Sequence, residues 1–169
     1  NKKLRNEALK LAEQADTVVL YLGLDEVTEA EGLDRTNLHL EQNQLDLVKD
    51  VKALGKDVVV VLSCGSAIEI PFVDDVNAIL HCYLNGQAGA LATLNLLSGK
   101  VNPSGKLSET YPIALEDVAS SDNFPSKTRT IEYREGYGVG YRYFDTANIR
   151  VRYPFGYGLS YTKFEYSNL

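Results

Sequence analysis

The chain lacks tryptophan and methionine altogether and carries only two cysteines among its 169 residues. Two cysteines cannot build a disulfide framework, and they do not form a CxxC metal motif. Cys64 and Cys82 both lie inside apolar runs, where small buried thiols are common, so we expect structural roles for both. This cysteine usage is compatible with the reducing conditions of the cytoplasm.

Histidine is equally scarce, with His39 and His81 far apart in the sequence. His81 lies in an apolar run, which favours a core histidine with satisfied hydrogen bonds over a metal ligand. Three glycines between positions 136 and 140 have a spacing similar to that of a dinucleotide loop, but they follow no early strand and open no helix. We therefore predict no metal and no cofactor.

Basic residues are outnumbered, 17 against 23 acidic ones, and the formal net charge is −6. Such a charge repels phosphate backbones and anionic lipid heads, and the lysines and arginines are scattered rather than clustered. No window approaches the roughly 20 apolar residues that cross a bilayer. We expect neither a nucleic-acid partner nor a membrane partner.

The absence of any methionine, together with a start at Asn1, predicts a processed product or a segment of a larger protein. The lack of a signal peptide therefore says little about the parent protein.

Hydrophobic periodicity predicts alternating helices and strands in the first two-thirds of the chain. The strands TVVLYL and DVVVVLS are continuously apolar, which is typical of parallel strands covered on both faces. The pattern predicts an α/β fold, a three-layer sandwich with a mainly parallel sheet and right-handed crossovers. Helices are expected at 2–15, 42–54 and 88–97 and strands at 17–22, 57–63 and 78–84, with only a turn of helix between the last two strands.

We assign residues 1–112 to this sandwich core and residues 113–169 to an extended tail rich in tyrosine and glycine. Three buried strands make a narrow sheet with apolar edges, so we expect the core to be incomplete on its N-terminal side, with further strands upstream. Most of the 11 tyrosines lie in the tail. Their rings are expected to pack on the core and on a neighbouring domain.

The loop after the first strand is the first place to look for a ligand site, because ligands of open parallel sheets bind beyond the carboxyl ends of the strands. The loop crowds five carboxyl groups around a single cation, Arg35. Like-charge repulsion is expected to raise the pKa of at least one of them, and a carboxylic acid protonated near neutral pH can act as a general acid. The five are Asp25, Glu26, Glu29, Glu31 and Asp34.

Two other interpretations of this loop stay open. Thr28 and Glu31 have the spacing of a helix capping box, although Gly32 argues against a helix there. A solvated acidic loop without a function is the second, and charge alone does not exclude it. A nucleotide-binding module is not favoured, because the loop is acidic where phosphate needs amide donors and cations.

Five segments stand out in the order EGLDRTNLHL (31–40), VVVVLSCGSAIEI (58–70), NPSGKLSETYP (102–112), EGYGVGYRYFD (135–145) and YPFGYGLSYTKF (153–164). In this collinear order they resemble the C-terminal α/β sandwich domain of glycoside hydrolase family 3. That family includes β-glucosidases and β-xylosidases. The resemblance spans nearly the entire chain, and the last segment is very specific.

The resemblance implies a domain of an exo-acting β-glycosidase that hydrolyses terminal β-linked sugars with retention of the anomeric configuration. Its acid/base glutamate belongs to an E-G-[LY]-D-R motif that maps onto Glu31, with Glu29 as the alternative because the loop varies in length. Asp34 and Arg35 complete the motif and are expected to form an ion pair that fixes the loop. Glu135 is expected to support the site or to pair with Arg35 or Arg142.

The nucleophile implied by the resemblance is an aspartate on a barrel domain that these residues do not include. The two carboxyl groups of a retaining enzyme lie about 5 to 5.5 Å apart and must act together, so we expect the isolated chain to be inactive. The implied partners are the enzyme's own barrel domain and a β-linked oligosaccharide or glycoside, and a homo-oligomer is left open. The alternative function is a non-catalytic carbohydrate-binding or scaffold module.

Overall fold

A computed structural model describes residues 1–168. Helices and strands alternate in the first two-thirds, as the periodicity predicts. The helices are α1 (Lys2–Glu13), α2 (Gln42–Ala53), α3 (Gly89–Leu97) and α4 (Tyr141–Thr146). The strands are β1 (Thr17–Gly23), β2 (Asp57–Ser63), β3 (Ala78–His81), β4 (Tyr111–Pro112) and β5 (Val151–Tyr153), and short 3₁₀ helices lie at Val73–Asp75 and Leu115–Asp117.

Strands β1, β2 and β3 form one parallel sheet in that order, with β2 at the centre. Leu20 pairs with Val60, and Val60 pairs with Ile79 on the other side. The α/β fold with a parallel sheet is therefore confirmed. Because the strands are parallel, all their carboxyl ends meet at one edge of the sheet.

The core lies between the sheet and helices α1 and α2. Val58, Val60 and Leu62 of β2 are fully buried, since the central strand has a neighbour on each side. Leu20 and Val48 belong to the same cluster. Burying side chains of this size contributes about 1.5–3 kcal/mol each to the stability of the fold.

Polar contacts fix the two helices on the sheet. Arg5 of α1 donates from Nε to Asp50 of α2 at 2.6 Å. The Gln44 amide of α2 accepts from the N–H of Gly23 at 2.9 Å and donates to its carbonyl at 2.7 Å. The carboxyl end of β1 is thereby held against the first turn of α2.

The outer side of β1 differs from the expectation of a strand covered on both faces. Side chains alternate along a strand, so Leu20 and Leu22 point into the core while Val19 and Tyr21 point the opposite way. Val19 is 42% exposed and Tyr21 is 66% exposed. One face of β1 is thus open in this chain.

The third strand is shorter than predicted and ends at His81, because Tyr83 adopts a left-handed backbone conformation with φ 52°. Positive φ does not fit a strand. The first helix also ends two residues early, at Glu13.

The tail contains α4 and β5, neither of which the sequence predicted. β5 pairs antiparallel with β4, and Phe144 of α4 is buried. Farther on, the tail folds back along the Asn102–Leu107 segment: Leu107 donates its N–H to the Tyr157 carbonyl at 2.8 Å. Many tail rings stay exposed, among them Tyr133, Tyr137, Tyr161, Phe164 and Tyr166.

Among residues 1–168, no helix has both the length and the apolar character needed to cross a membrane.

Candidate active site

The acidic loop, residues 24–41, and the turn at residues 64–67 lie side by side at the carboxyl edge of the sheet. They do so because they follow the neighbouring strands β1 and β2. The loop contains turns but no helix. Thr28 donates backward to Asp25 instead of capping a following helix, so the capping-box interpretation is wrong.

A tight turn opens the acidic loop. The Asp25 carboxylate accepts the backbone N–H of Thr28 at 2.9 Å and its hydroxyl at 2.8 Å, and the Asp25 carbonyl accepts the N–H of Glu29 at 2.9 Å. These Thr28 hydrogen bonds lower the pKa of Asp25, so Asp25 is not a carboxyl whose pKa is raised by crowding. The turn aims Glu29 toward the end of β2.

Glu29 is anchored on the turn after β2 by both of its carboxylate oxygens. Oε2 accepts the N–H of Gly65 at 2.8 Å, and Oε1 accepts the Ser66 hydroxyl at 3.2 Å. A Cβ at position 65 would lie 3.2 Å from Oε1 and 3.1 Å from the Leu84 side chain. The absence of a side chain at Gly65 is what permits this approach.

Arg35 reaches the same turn from the other side of the loop. Its Nη1 donates to the Ser66 hydroxyl at 2.8 Å and to the Ala67 carbonyl at 3.2 Å. Within residues 1–168, Asp34 makes no ion pair with Arg35, so the expected loop-fixing pair is replaced by hydrogen bonds to the turn. The Nε and Nη2 atoms of Arg35 are buried and have no hydrogen-bond partner in this part of the protein.

Glu31 lies in the exposed stretch between these two anchored side chains. In the part of the chain that the structure describes, its carboxyl group has no hydrogen-bond or ion-pair partner. It is followed by Gly32 at φ 79°, a conformation that favours glycine and turns the chain. Asp34 is exposed as well.

A further carboxyl group, Glu109, joins the cluster and was not singled out by sequence reasoning. It is half-buried, and burial raises the pKa of Glu109, with the Ala67 N–H and nearby Arg35 opposing that rise. It belongs to the segment NPSGKLSETYP, directly before the buried Thr110 and Tyr111. No local sequence signal singles it out, because its surroundings come from Ala67 and Arg35, more than 40 positions away.

Beneath the site, His81 links the ends of three strands. Its Nε2 lies 2.7 Å from the Tyr111 hydroxyl, and its Nδ1 lies 4.0 Å from Sγ of Cys64. Burial lowers the pKa of His81 to about 4 and raises the pKa of Cys64 to about 12. Both groups are therefore uncharged at neutral pH and serve as packed structure, as predicted for His81.

Two clefts lie near the site, and the second is lined in part by Ser66 and Ala67 of the turn. One of about 600 Å³ lies beside Asp34, Arg35, His39 and Glu69, where His39 Nε2 is 3.2 Å from the Glu69 carboxylate. The other, about 470 Å³, is lined by Glu109 and by residues of the tail. No group of three metal-binding side chains occurs among residues 1–168.

Known proteins match this chain over most of its length. Residues 2–141 match the family model described as "Glycosyl hydrolase family 3 C-terminal domain". The chain belongs to this family. It is 47% identical over its full length to the thermostable beta-glucosidase B of Acetivibrio thermocellus, covering 22% of that protein.

Other relatives of this family 3 domain include an enzyme with a different name and an enzyme of known crystal structure. An exo-alpha-(1->6)-L-arabinopyranosidase of Bifidobacterium breve is 42% identical over 85% of the chain and 19% of its own length. The crystal structure of a family 3 beta-glucosidase from Bifidobacterium adolescentis matches with a TM-score of 0.92 and 44% identity, over 95% of this chain and 24% of that one. The chain thus spans about a fifth of the length of these relatives.

The structure brings together only some of the residues that the sequence singled out. Glu29 and Arg35 meet at Ser66, and Glu31 lies between them. Glu135 is half-buried, but its carboxylate pairs with neither Arg35 nor Arg142 within the described residues, so the expected pairing is wrong for this family 3 domain. The backbone carbonyl of Glu135 instead accepts the N–H of Gly138 at 2.9 Å.

Proposed function

We propose that this family 3 domain supplies the general acid/base of a retaining, exo-acting β-glycosidase, with Glu31 as the proton donor. The observation that carries the proposal is the position of Glu31. Its free carboxyl group projects from a short exposed stretch, both ends of which are tied to the carboxyl edge of the sheet by Glu29 and Arg35.

Such a carboxyl group has the properties that the reaction needs. In the first step the acid protonates the departing glycosidic oxygen while a carboxylate nucleophile attacks the anomeric carbon. In the second step the same residue, now ionised, takes a proton from water as water cleaves the glycosyl-enzyme. A free, exposed carboxyl group can reach a sugar bound elsewhere, whereas one held by protein donors cannot.

The rest of the active site belongs to the larger enzyme in this proposal. An aspartate nucleophile and the sugar pocket lie on a barrel domain, and the exposed tyrosines of the tail, residues 113–169, pack on that domain. Relatives named as a beta-glucosidase and as an arabinopyranosidase share this domain at similar identity. We therefore assign the choice of sugar to the barrel and propose a β-glucoside as the substrate to test first.

The test replaces Glu31 by glutamine in the full-length enzyme and compares an alkyl β-glucoside with an aryl β-glucoside that has an activated leaving group. Loss of the proton donor is expected to lower kcat/KM for the alkyl substrate by roughly 10²–10⁴-fold, the usual worth of general acid catalysis. The aryl substrate needs little protonation and should lose far less.

Glu26→Gln is the matched control, because Glu26 is an exposed carboxyl of the same loop. It should behave like the wild type toward both substrates. An equal loss toward both substrates in Glu31→Gln would reject the donor assignment. Wild-type rates in that variant would favour the scaffold-module alternative.

A further inference from the structure

We infer that Glu29 is a positioning residue, whose carboxylate anchors the acidic loop on the turn after β2 and so fixes the place from which Glu31 acts. The inference rests on the proposed function of Glu31. It assigns to Glu29 a role other than that of an alternative proton donor.

The geometry ties the loop to the turn at two points. Glu29 accepts from Gly65 and Ser66, and Arg35 donates to the same Ser66 hydroxyl and to Ala67. The Ser66 hydroxyl therefore donates to one side chain and accepts from the other. The five intervening residues, 30–34, form a bridge with both ends fixed, and Glu31 lies within it.

The turn that receives these contacts is held in place by buried residues at both of its ends. It follows the central strand β2, and Cys64 and Ala67 are buried. The backbone N–H of Ala67 also lowers the pKa of Glu109, against the rise that burial causes. An anchor on such a support fixes the position of the loop relative to the sheet. Catalysis requires a fixed position, because a displacement of about 1 Å can cost roughly 100-fold in rate.

The same contacts make Glu29 unsuited to proton donation. Both of its oxygens face protein donors, and a proton on Oε2 would point at the N–H of Gly65. Donating to a sugar would require Glu29 to leave the N–H of exposed Gly65 and the hydroxyl of half-buried Ser66 without their acceptor, which costs free energy, above all at Ser66. Glu31 has no such contacts to break.

The decisive comparison is between Glu29→Ala and Glu29→Gln in the full-length enzyme. The alanine variant removes both hydrogen bonds, so kcat/KM for the alkyl β-glucoside should fall by roughly 100-fold, while the activated aryl β-glucoside, which needs little protonation, should lose far less. The glutamine variant can still accept from Gly65 with its amide oxygen and donate to Ser66 with its amide nitrogen. It should recover most of that loss and stay within roughly fivefold of the wild type, because an amide is the weaker acceptor.

A second readout follows the anchor directly. Hydrogen exchange of the peptide containing Gly65 should speed up in Glu29→Ala and stay near the wild-type rate in Glu29→Gln, since only the first variant frees that N–H. Gly65→Ala should reproduce a milder form of the loss in kcat/KM for the alkyl β-glucoside, because its Cβ would push against Glu29.

A loss in Glu29→Gln that is confined to the alkyl substrate would identify Glu29 as the proton donor and overturn the inference. Rates for Glu29→Ala within twofold of the Glu26→Gln control would overturn it as well. An even loss in Glu31→Gln, with the contrast between the two Glu29 variants intact, would refute the proposed function and leave the anchor standing.

Discussion

The two sides of strand β1 are unlike each other. Leu20 and Leu22 enter a core in which Val60 and Leu62 are completely buried, whereas Val19 and Tyr21 on the opposite side are open to solvent. Helix α3 is open as well, with Leu91 and Leu94 about 60% exposed. Exposed apolar side chains that cluster on one face are typical of surfaces that pack against other protein.

This difference separates what the chain stabilises by itself from what it offers to the rest of the enzyme. The covered side supports the turn at residues 64–67 and therefore the candidate site. The open side of β1, at the edge of the sheet, is where we propose that further strands or helices of the larger enzyme pack. The chain spans about a fifth of the length of its relatives, so there is ample protein to do so.

The largest effect is expected on the covered side. Leu62→Ala deletes a fully buried side chain beneath the site and should destabilise the full-length enzyme by about 2–5 kcal/mol. Denaturant unfolding followed by tyrosine fluorescence would measure the change. A cost below about 1 kcal/mol would mean that the core around Leu62 is loosely packed.

Tyr21→Ala tests the open side. If the larger enzyme covers this face, the substitution should cost roughly 2 kcal/mol or more in the full-length protein, although Tyr21 is exposed here. The control is Val27→Ala at an exposed position of the acidic loop, which should stay within about 0.5 kcal/mol. An equally small effect at Tyr21 would show that the face remains bare.

The pH dependence of stability sharpens the comparison between half-buried His81 and exposed His39. The pKa of His81 is lowered from its usual 6.5 to about 4 in the folded protein, so the unfolded chain binds more protons between these values. The contribution is present above pH 6.5 and is lost as the pH falls toward 4. Unfolding free energies across this range should slope less in His81→Gln than in His39→Gln, and equal slopes would contradict the assignment.

Glu109 gives the smallest expected effect. Because burial raises the pKa of Glu109, its ionised form costs stability above its usual pKa of 4.5, and the cost vanishes at lower pH where the group is protonated. Glu109→Gln should therefore raise Tm by roughly 2 °C at pH 7 and leave it unchanged at pH 4. Exposed Glu116→Gln is the control, and a lower Tm for Glu109→Gln at pH 7 would refute this reasoning.

Sequence reasoning succeeded where one local pattern decides the structure. The continuous apolar runs of β1 and β2 and the helical spacing of α1 and α2 were enough to predict the parallel sheet. It failed where tertiary contacts decide: the left-handed Tyr83 ends β3, and β5 forms only because β4 lies beside it.

The same division holds at the candidate site. The motif at Glu31 was readable from the sequence, and so was the crowding of carboxyl groups around it. That Glu29 and Arg35 both bind Ser66 was not readable, because the contact spans more than 30 positions and depends on β1 and β2 being neighbours. Hence Arg35 was wrongly expected to pair with its neighbour Asp34.

The central claim is that Glu31 donates the proton to the leaving group. The most direct measurement is kcat/KM for a series of aryl β-glucosides whose leaving groups span a range of pKa values, with wild-type and Glu31→Gln full-length enzyme. We predict a shallow dependence on leaving-group pKa for the wild type and a steep one for the variant. Parallel dependences would contradict the claim.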